Sequence, residues 1–259
     1  MRSGPSLQAT GPGKRSAVTM SDKIRIGWKD STRLEIRYTG NLQGDLQALP
    51  YLATVIKNQR AETPQMLLVD TGDFSGQTRP GPHAGAPQIE VMNHLRFVAT
   101  VPGRAEAADG SALERMAALA EFPFLASNWR GSGEGAMFHR VHKVRCGEID
   151  VALVGLAWPD PPRNTALIPP EEALGQALED VDVDQTVVVV LSQMGFAADR
   201  NLAVRCPEAH VILEGVPYTG FDQVTQLGET LVVPAVTGPR QLGALGLDLS
   251  GALEIDRDE

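Results

Sequence analysis

The segment Met66-Leu67-Leu68-Val69-Asp70-Thr71-Gly72-Asp73-Phe74-Ser75-Gly76-Gln77 decides how this chain folds. Its apolar run, residues 66–69, ends abruptly at Asp70-Thr71-Gly72-Asp73, the pattern of a buried strand that stops at a sheet edge. In open α/β sheets, ligands bind at that edge, beyond the carboxyl ends of the strands. Asp73 therefore sits on a glycine-loosened loop where a ligand or metal would be met.

Working outward, residues 24–28 and 34–38 alternate apolar and polar, which is strand periodicity. Thr39-Gly40-Asn41-Leu42-Gln43-Gly44 closes the second of them. Apolar positions 46, 49, 52, 53 and 56 form a helical stripe despite Pro50. Past the opening segment, a Gly/Pro-rich loop leads to a short helix at 87–95 with Pro at its first turn, then a strand at 97–101. Ser111 with Glu114 three residues on reads as a capping box for a helix running to about 120. A short strand at 124–126 and a hairpin of 138–144 with 149–156 follow. Helices at 171–181 and 196–204 alternate with strands at 186–191 and 210–213. Strands at 223–227, 230–234, 242–249 and 253–255 close the chain. Such alternation indicates an α/β layered sandwich.

The chain has 259 residues and a formal net charge of −9, with no Lys/Arg block longer than a dipeptide. That balance excludes nucleic acid as a default partner, since phosphate contacts need clustered cations. Only 5% of residues are aromatic, so Val, Leu, Ile and Ala must supply most of the core. Cys146 and Cys206 lie too far apart for a metal or redox motif and read as free thiols. The Gly/Ser/Pro/Ala-rich start lacks an apolar run of signal-peptide length, and no stretch approaches the ~18 apolar residues of a membrane span. Residues 1–22 are expected to be a disordered tail, with Met20 a candidate start, and 23–259 one domain. A cytoplasmic location and no membrane partner are the expectations.

The order of segments resembles the bacterial 5′-nucleotidase branch of the calcineurin-like metallophosphoesterases, from about Leu34 to Leu249. Residues 38–44 are similar to the family's first motif, 67–76 to its second, and Gly103-Arg104-Ala105-Glu106-Ala107-Ala108-Asp109-Gly110 to its third. Phe122-Pro123-Phe124-Leu125-Ala126-Ser127-Asn128-Trp129, residues 189–195 and residues 211–219 resemble three further motifs in the right order. The resemblance implies a four-layer αββα sandwich with two mixed β-sheets. It also implies that the nucleoside-recognising C-terminal domain of such nucleotidases is missing from this sequence.

Family members hold two metal ions at positions that here carry Asn41, Gln43, Asp73, Arg104, Gln193, Val216 and Tyr218. The third-motif histidine falls at Ala105. Of the ligands only Asp73 is retained. Two-metal hydrolysis needs cations that generate a hydroxide and clamp phosphoryl oxygens, held by imidazoles and carboxylates. The resemblance thus implies a degenerate homologue without catalytic residues and without a bound cofactor. Its former-site pocket of Asn41, Gln43, Asp73, Arg104, Gln193 and Tyr218 would serve as a ligand- or protein-binding module.

Arg104 is expected to pair with Asp73, its fixed charge replacing the metal. With Asn41, Gln43 and Gln193 it would cradle a phosphate-containing small molecule, a protein partner being the other candidate. The competing class is a residual hydrolase with one weakly held divalent metal such as Mn or Mg. Among the histidines, His139 and His142 are three apart on a strand and face opposite ways. His94 and His210 read as surface or satisfied polar groups, and His83 alone lies on a loop beside the site. Asp45, Asp70 and Asp109 read as turn or cap residues.

Overall fold

A computed structural model describes residues 18–19, 33–76, 85–131, 133, 136–162 and 165–249. The predicted strands at 24–28 and 253–255, and His83, lie outside the described residues. Two mixed sheets form the centre. The first has the order β1-β11-β2-β3-β4, where β1 is Val18–Thr19, β2 is Arg33–Thr39, β3 is Met66–Asp70, β4 is Ala99–Thr100 and β11 is Gly243–Asp248. β2, β3 and β4 run parallel, β11 runs antiparallel to β2, and β1, inside the expected tail, pairs in parallel with β11.

The second sheet has the order β5-β6-β7-β8-β10-β9. Its strands are β5 Val141–Cys146, β6 Ile149–Leu156, β7 Thr186–Ser192, β8 Val211–Glu214, β9 Thr225–Leu227 and β10 Thr230–Val233. β5 and β6 form the expected hairpin, β6, β7, β8 and β10 are parallel, and β9 returns antiparallel along the edge.

The pleat of β7 shows how the layers are sorted. Val187, Val189 and Leu191 join the large core between the sheets, together with Leu34 and Ile36 of β2. Val188 and Val190 point the other way, against Ala173, Leu174 and Ala177 of α5 (Pro170–Leu178) and Leu202 and Ala203 of α6 (Phe196–Arg205). A strand buried on both faces must be apolar at every position, which is why residues 187–191 read as an unbroken run. The first sheet is covered by α1 (Leu49–Glu62), α2 (Ala86–His94) and α4 (Gly110–Leu119), whose Leu52, Ile56, Ile89, Met92, Leu113 and Met116 are buried. The result is the four-layer αββα sandwich with two mixed sheets.

Local departures have local causes. The cap of helix α4 is Asp109, two residues before the Ser111 expected in that role, because the Asp109 carboxylate accepts the N–H groups of Ser111 and Ala112. The strand expected at 124–126 is reduced to single bridges, Thr100 with Phe124 and Leu125 with His139. A one-turn helix at Arg104–Ala107, α3, has no periodicity to reveal it from sequence. Both cysteines are free. Among the described residues no helix is long and apolar enough to cross a membrane.

Candidate functional site

Parallel strands deliver their carboxyl ends to one edge, and there the loops after β2, β3, β7, β8 and β10 converge. The main chains of two loops form a short ladder: Asn41 N–H to Gly72 O, Gln43 N–H to Asp73 O and Gly44 N–H to Phe74 O, each 2.9 Å. Asn41, Gln43 and Asp73 all have left-handed backbone, with φ of 54°, 49° and 55°. Asn and Asp tolerate that region better than most residues.

The amide side chains then tie one sheet to the other. Asn41 Nδ2, from the β2 loop, donates to Gly215 O beyond β8 and to Val236 O beyond β10, both at 2.9 Å. In the reverse direction Gln193 Nε2, beyond β7, donates to Thr71 O beyond β3. Both residues are buried. Gly72 and Gly215 permit this approach, since a methyl group on either would collide with Gln193 Nε2 and with neighbouring main chain. Tyr38 Oη adds another inter-sheet bond, to Pro234 O at 2.9 Å.

A cluster of carboxyl groups lies beneath the Asp73 loop. Asp73 Oδ1 accepts the Ala105 N–H at 2.7 Å, at the start of α3. Glu106, fully enclosed, accepts from Asp73 N (2.9 Å), Gly103 N (2.9 Å), Ser75 N (2.8 Å) and Ser75 Oγ (2.6 Å). Asp70 accepts from Thr39 Oγ1 (2.6 Å), Gly72 N (2.8 Å) and Thr100 Oγ1 (2.9 Å). Expected to be a cap or turn residue, it is the last residue of β3, and its side chain bridges three strands. Burial pushes Asp70 up to about 6 and Glu106 up to about 7. Asp73 is also raised by burial, opposed by the Ala105 N–H and by the nearby Arg104 charge.

The expected Asp73–Arg104 ion pair is not formed. The Arg104 guanidinium carbon lies 5.8 Å from the Trp158 ring centroid, and Asp73 Oδ1 accepts the main-chain N–H of Ala105 instead. The expected four-residue phosphate cradle is not assembled either, because the donor groups of Asn41 and Gln193 are turned onto carbonyls. Gln43, Arg104 and Tyr218 are exposed on this edge, and Tyr218 stacks on Phe196 with ring centroids 4.5 Å apart. Val216 contributes no ligating atom. His210 is the satisfied polar group anticipated, its Nδ1 accepting the Val188 N–H at 2.9 Å.

A dinuclear metal centre does not fit these donors. Asn41 and Gln193 present N–H groups to carbonyls, the unpartnered Gln193 Oε1 is a neutral amide oxygen, and Arg104 brings a positive charge beside Asp73. Among the described residues no group of three or more His, Cys, Asp or Glu side chains is placed to hold a metal ion. Sequence reasoning missed Glu106, which stands at N3 of α3 and accepts the N–H of its N-cap residue Gly103; a glycine in that place gives no capping signature in the sequence.

No family model and no curated protein matches the chain. Solved structures do match in fold. A 5′-nucleotidase precursor from Thermus thermophilus aligns with TM-score 0.66 at 19% identity, over 85% of this chain and 56% of that one. The NAD nucleotidase of Haemophilus influenzae gives 0.71 at 13% identity, over 85% and 54%. A calcineurin-like phosphoesterase of Bacillus subtilis gives 0.66 at 16% identity, over 86% and 88%. The chain spans about half the length of the nucleotidases it resembles. Its fold is that of the calcineurin-like phosphoesterases and 5′-nucleotidases.

Proposed function

We propose that this chain is a non-hydrolytic member of the phosphoesterase fold, a binding module in which hydrogen-bonded amides stand where metal ligands stood. The carrying observation is that Asn41 and Gln193 spend their N–H groups joining the two sheets. A metal bridging loops of both sheets would perform the same structural task, so its loss is compensated within the protein. Arg104 is left exposed over Trp158, with Gln43 on the same edge. A guanidinium on an indole offers a fixed cation beside a flat apolar surface. That chemistry suits a small ligand carrying a phosphate group.

Two measurements on the purified chain test this. Hydrolysis of a generic phosphomonoester is followed with and without added manganese, together with elemental analysis. Turnover that requires manganese and vanishes in Asp73→Ala overturns the reading in favour of a residual hydrolase. Titration with inorganic phosphate is expected to show binding that Arg104→Ala weakens.

A further inference from the structure

A second pair of buried carboxyl groups lies on the far side of β7 and β8 from the inter-sheet core. Ser192 and Glu214 are register partners at the ends of these strands, so their side chains leave the same face, towards α6. Asp199, in the first turn of α6, meets Ser192 there, its Oδ1 accepting the Ser192 hydroxyl at 2.5 Å, and its charge is near enough to Glu214 to raise that carboxyl. Ser192 Oγ in turn accepts the Met194 N–H at 3.1 Å. Asp199 and Glu214 have no exposed surface. Asp199 Oδ2 and both Glu214 oxygens lack a hydrogen-bond partner in the protein.

Unpartnered, enclosed carboxylates are costly, and the cost falls when one carboxyl keeps its proton and donates it to the other. We propose that Asp199 and Glu214 share a proton, Glu214 O–H donating to Asp199 Oδ2, and that this bond latches the first turn of α6 to the end of β8 until rising pH removes it. Charges on the surrounding elements do not replace the proton. In α6, Arg200 stacks on the Phe196 ring at 5.3 Å and Arg205 pairs with Glu171 of α5 at 3.6 Å. Glu172 of α5 bonds Gln176, β10 carries no charge, and of the described ion pairs none involves Asp199 or Glu214.

Burial raises Asp199 to about 7, and burial with the Asp199 charge raises Glu214 to about 8. The folded form therefore keeps protons that the unfolded chain releases near pH 4–5. Stability from this pair is full below that range and is lost as pH rises towards 8. The turn at stake carries Phe196, on which the exposed Tyr218 stacks. Loss of the latch would loosen the aromatic corner of the ligand-binding edge.

The test is urea unfolding of the whole chain from pH 5 to 9, with hydrogen exchange of the α6 amides, for the wild type and Glu214→Gln. The glutamine imitates the protonated acid and can donate to Asp199 without titrating. The wild-type unfolding constant is expected to rise more steeply than the variant's by about ten-fold per pH unit between pH 5 and 7, with faster α6 exchange at pH 8.5 in the wild type alone. Parallel profiles overturn the proposal. So does stabilisation of the wild type at pH 8 by calcium, magnesium or sodium that Glu214→Gln abolishes, which assigns the unpartnered oxygens to a cation. If the variant does not fold, the wild type at pH 6 is examined for the infrared band of a protonated carboxyl that Asp199→Asn alters. Its absence overturns the proposal.

Discussion

Asp73 and Glu106 hold each other in place by exchanging roles. The Glu106 carboxylate accepts the Asp73 main-chain N–H at 2.9 Å, while the Asp73 carboxylate accepts the Ala105 N–H of the turn that carries Glu106 at 2.7 Å. The one retained ligand of the resemblance thus has a structural task that requires no metal.

Glu106→Gln is expected to destabilise the protein by about 1–3 kcal/mol, since its NH2, turned to the Ser75 side where the hydroxyl can accept, still leaves the Ser75 N–H unpaired. Urea denaturation reads the loss. A change within experimental error would show that the Asp73 loop is held by other contacts.

Asn41→Ala removes two inter-sheet bonds and places alanine at φ 54°. Two orphaned carbonyls and a left-handed alanine together cost about 3–5 kcal/mol. Asn41→Gly, which relieves only the backbone strain, is expected to recover about 1 kcal/mol of that loss. The two midpoints, compared in one denaturant series, separate the strut from the strain.

Gly215→Ala would drive a methyl group into Thr71 O and the Gln193 amide. Main chain cannot yield as a flexible side-chain end can, so about 3 kcal/mol or more of stability is expected to be lost. Retention of the wild-type melting temperature would contradict the close approach of the two sheets at this edge.

Asp70 and Glu106 add their own pH dependence. Both are raised by burial, to about 6 and about 7, so the folded state binds protons that the unfolded chain has released. The stability they contribute is present near pH 4–5 and falls as pH rises through 6 and 7. Glu106→Gln should flatten that part of the profile, and Glu214→Gln a part extending to higher pH.

Much of the fold was legible because buried strands announce themselves. The runs at 66–69 and 187–191 needed no tertiary information, and each became a strand buried on both faces. The site was legible as a set of positions but not as a set of contacts. Which atom of Asn41 faces which carbonyl depends on loops almost 200 residues away. The Asp73–Arg104 pairing failed because the main chain at Ala105 reached the carboxylate first, and no side-chain pattern reports a main-chain donor. Glu106 and Glu214 were overlooked as ionisable groups because a single Glu in a short segment looks like surface until its neighbours are known.

The left-handed residues 41, 43 and 73 carry a last consequence. Their conformation is held by the main-chain ladder, with the Glu106 carboxylate accepting the Asp73 N–H. Gln43, exposed on that frame, can be exchanged without loss of an inter-sheet bond, whereas the side chains of Asn41 and Asp73 are bound to main chain. A chain carrying Asn41→Asp, Gln43→His and Gln193→His tests whether this edge can hold a metal: manganese binding would show that it can, and failure to bind would show that the loops depend on their amides.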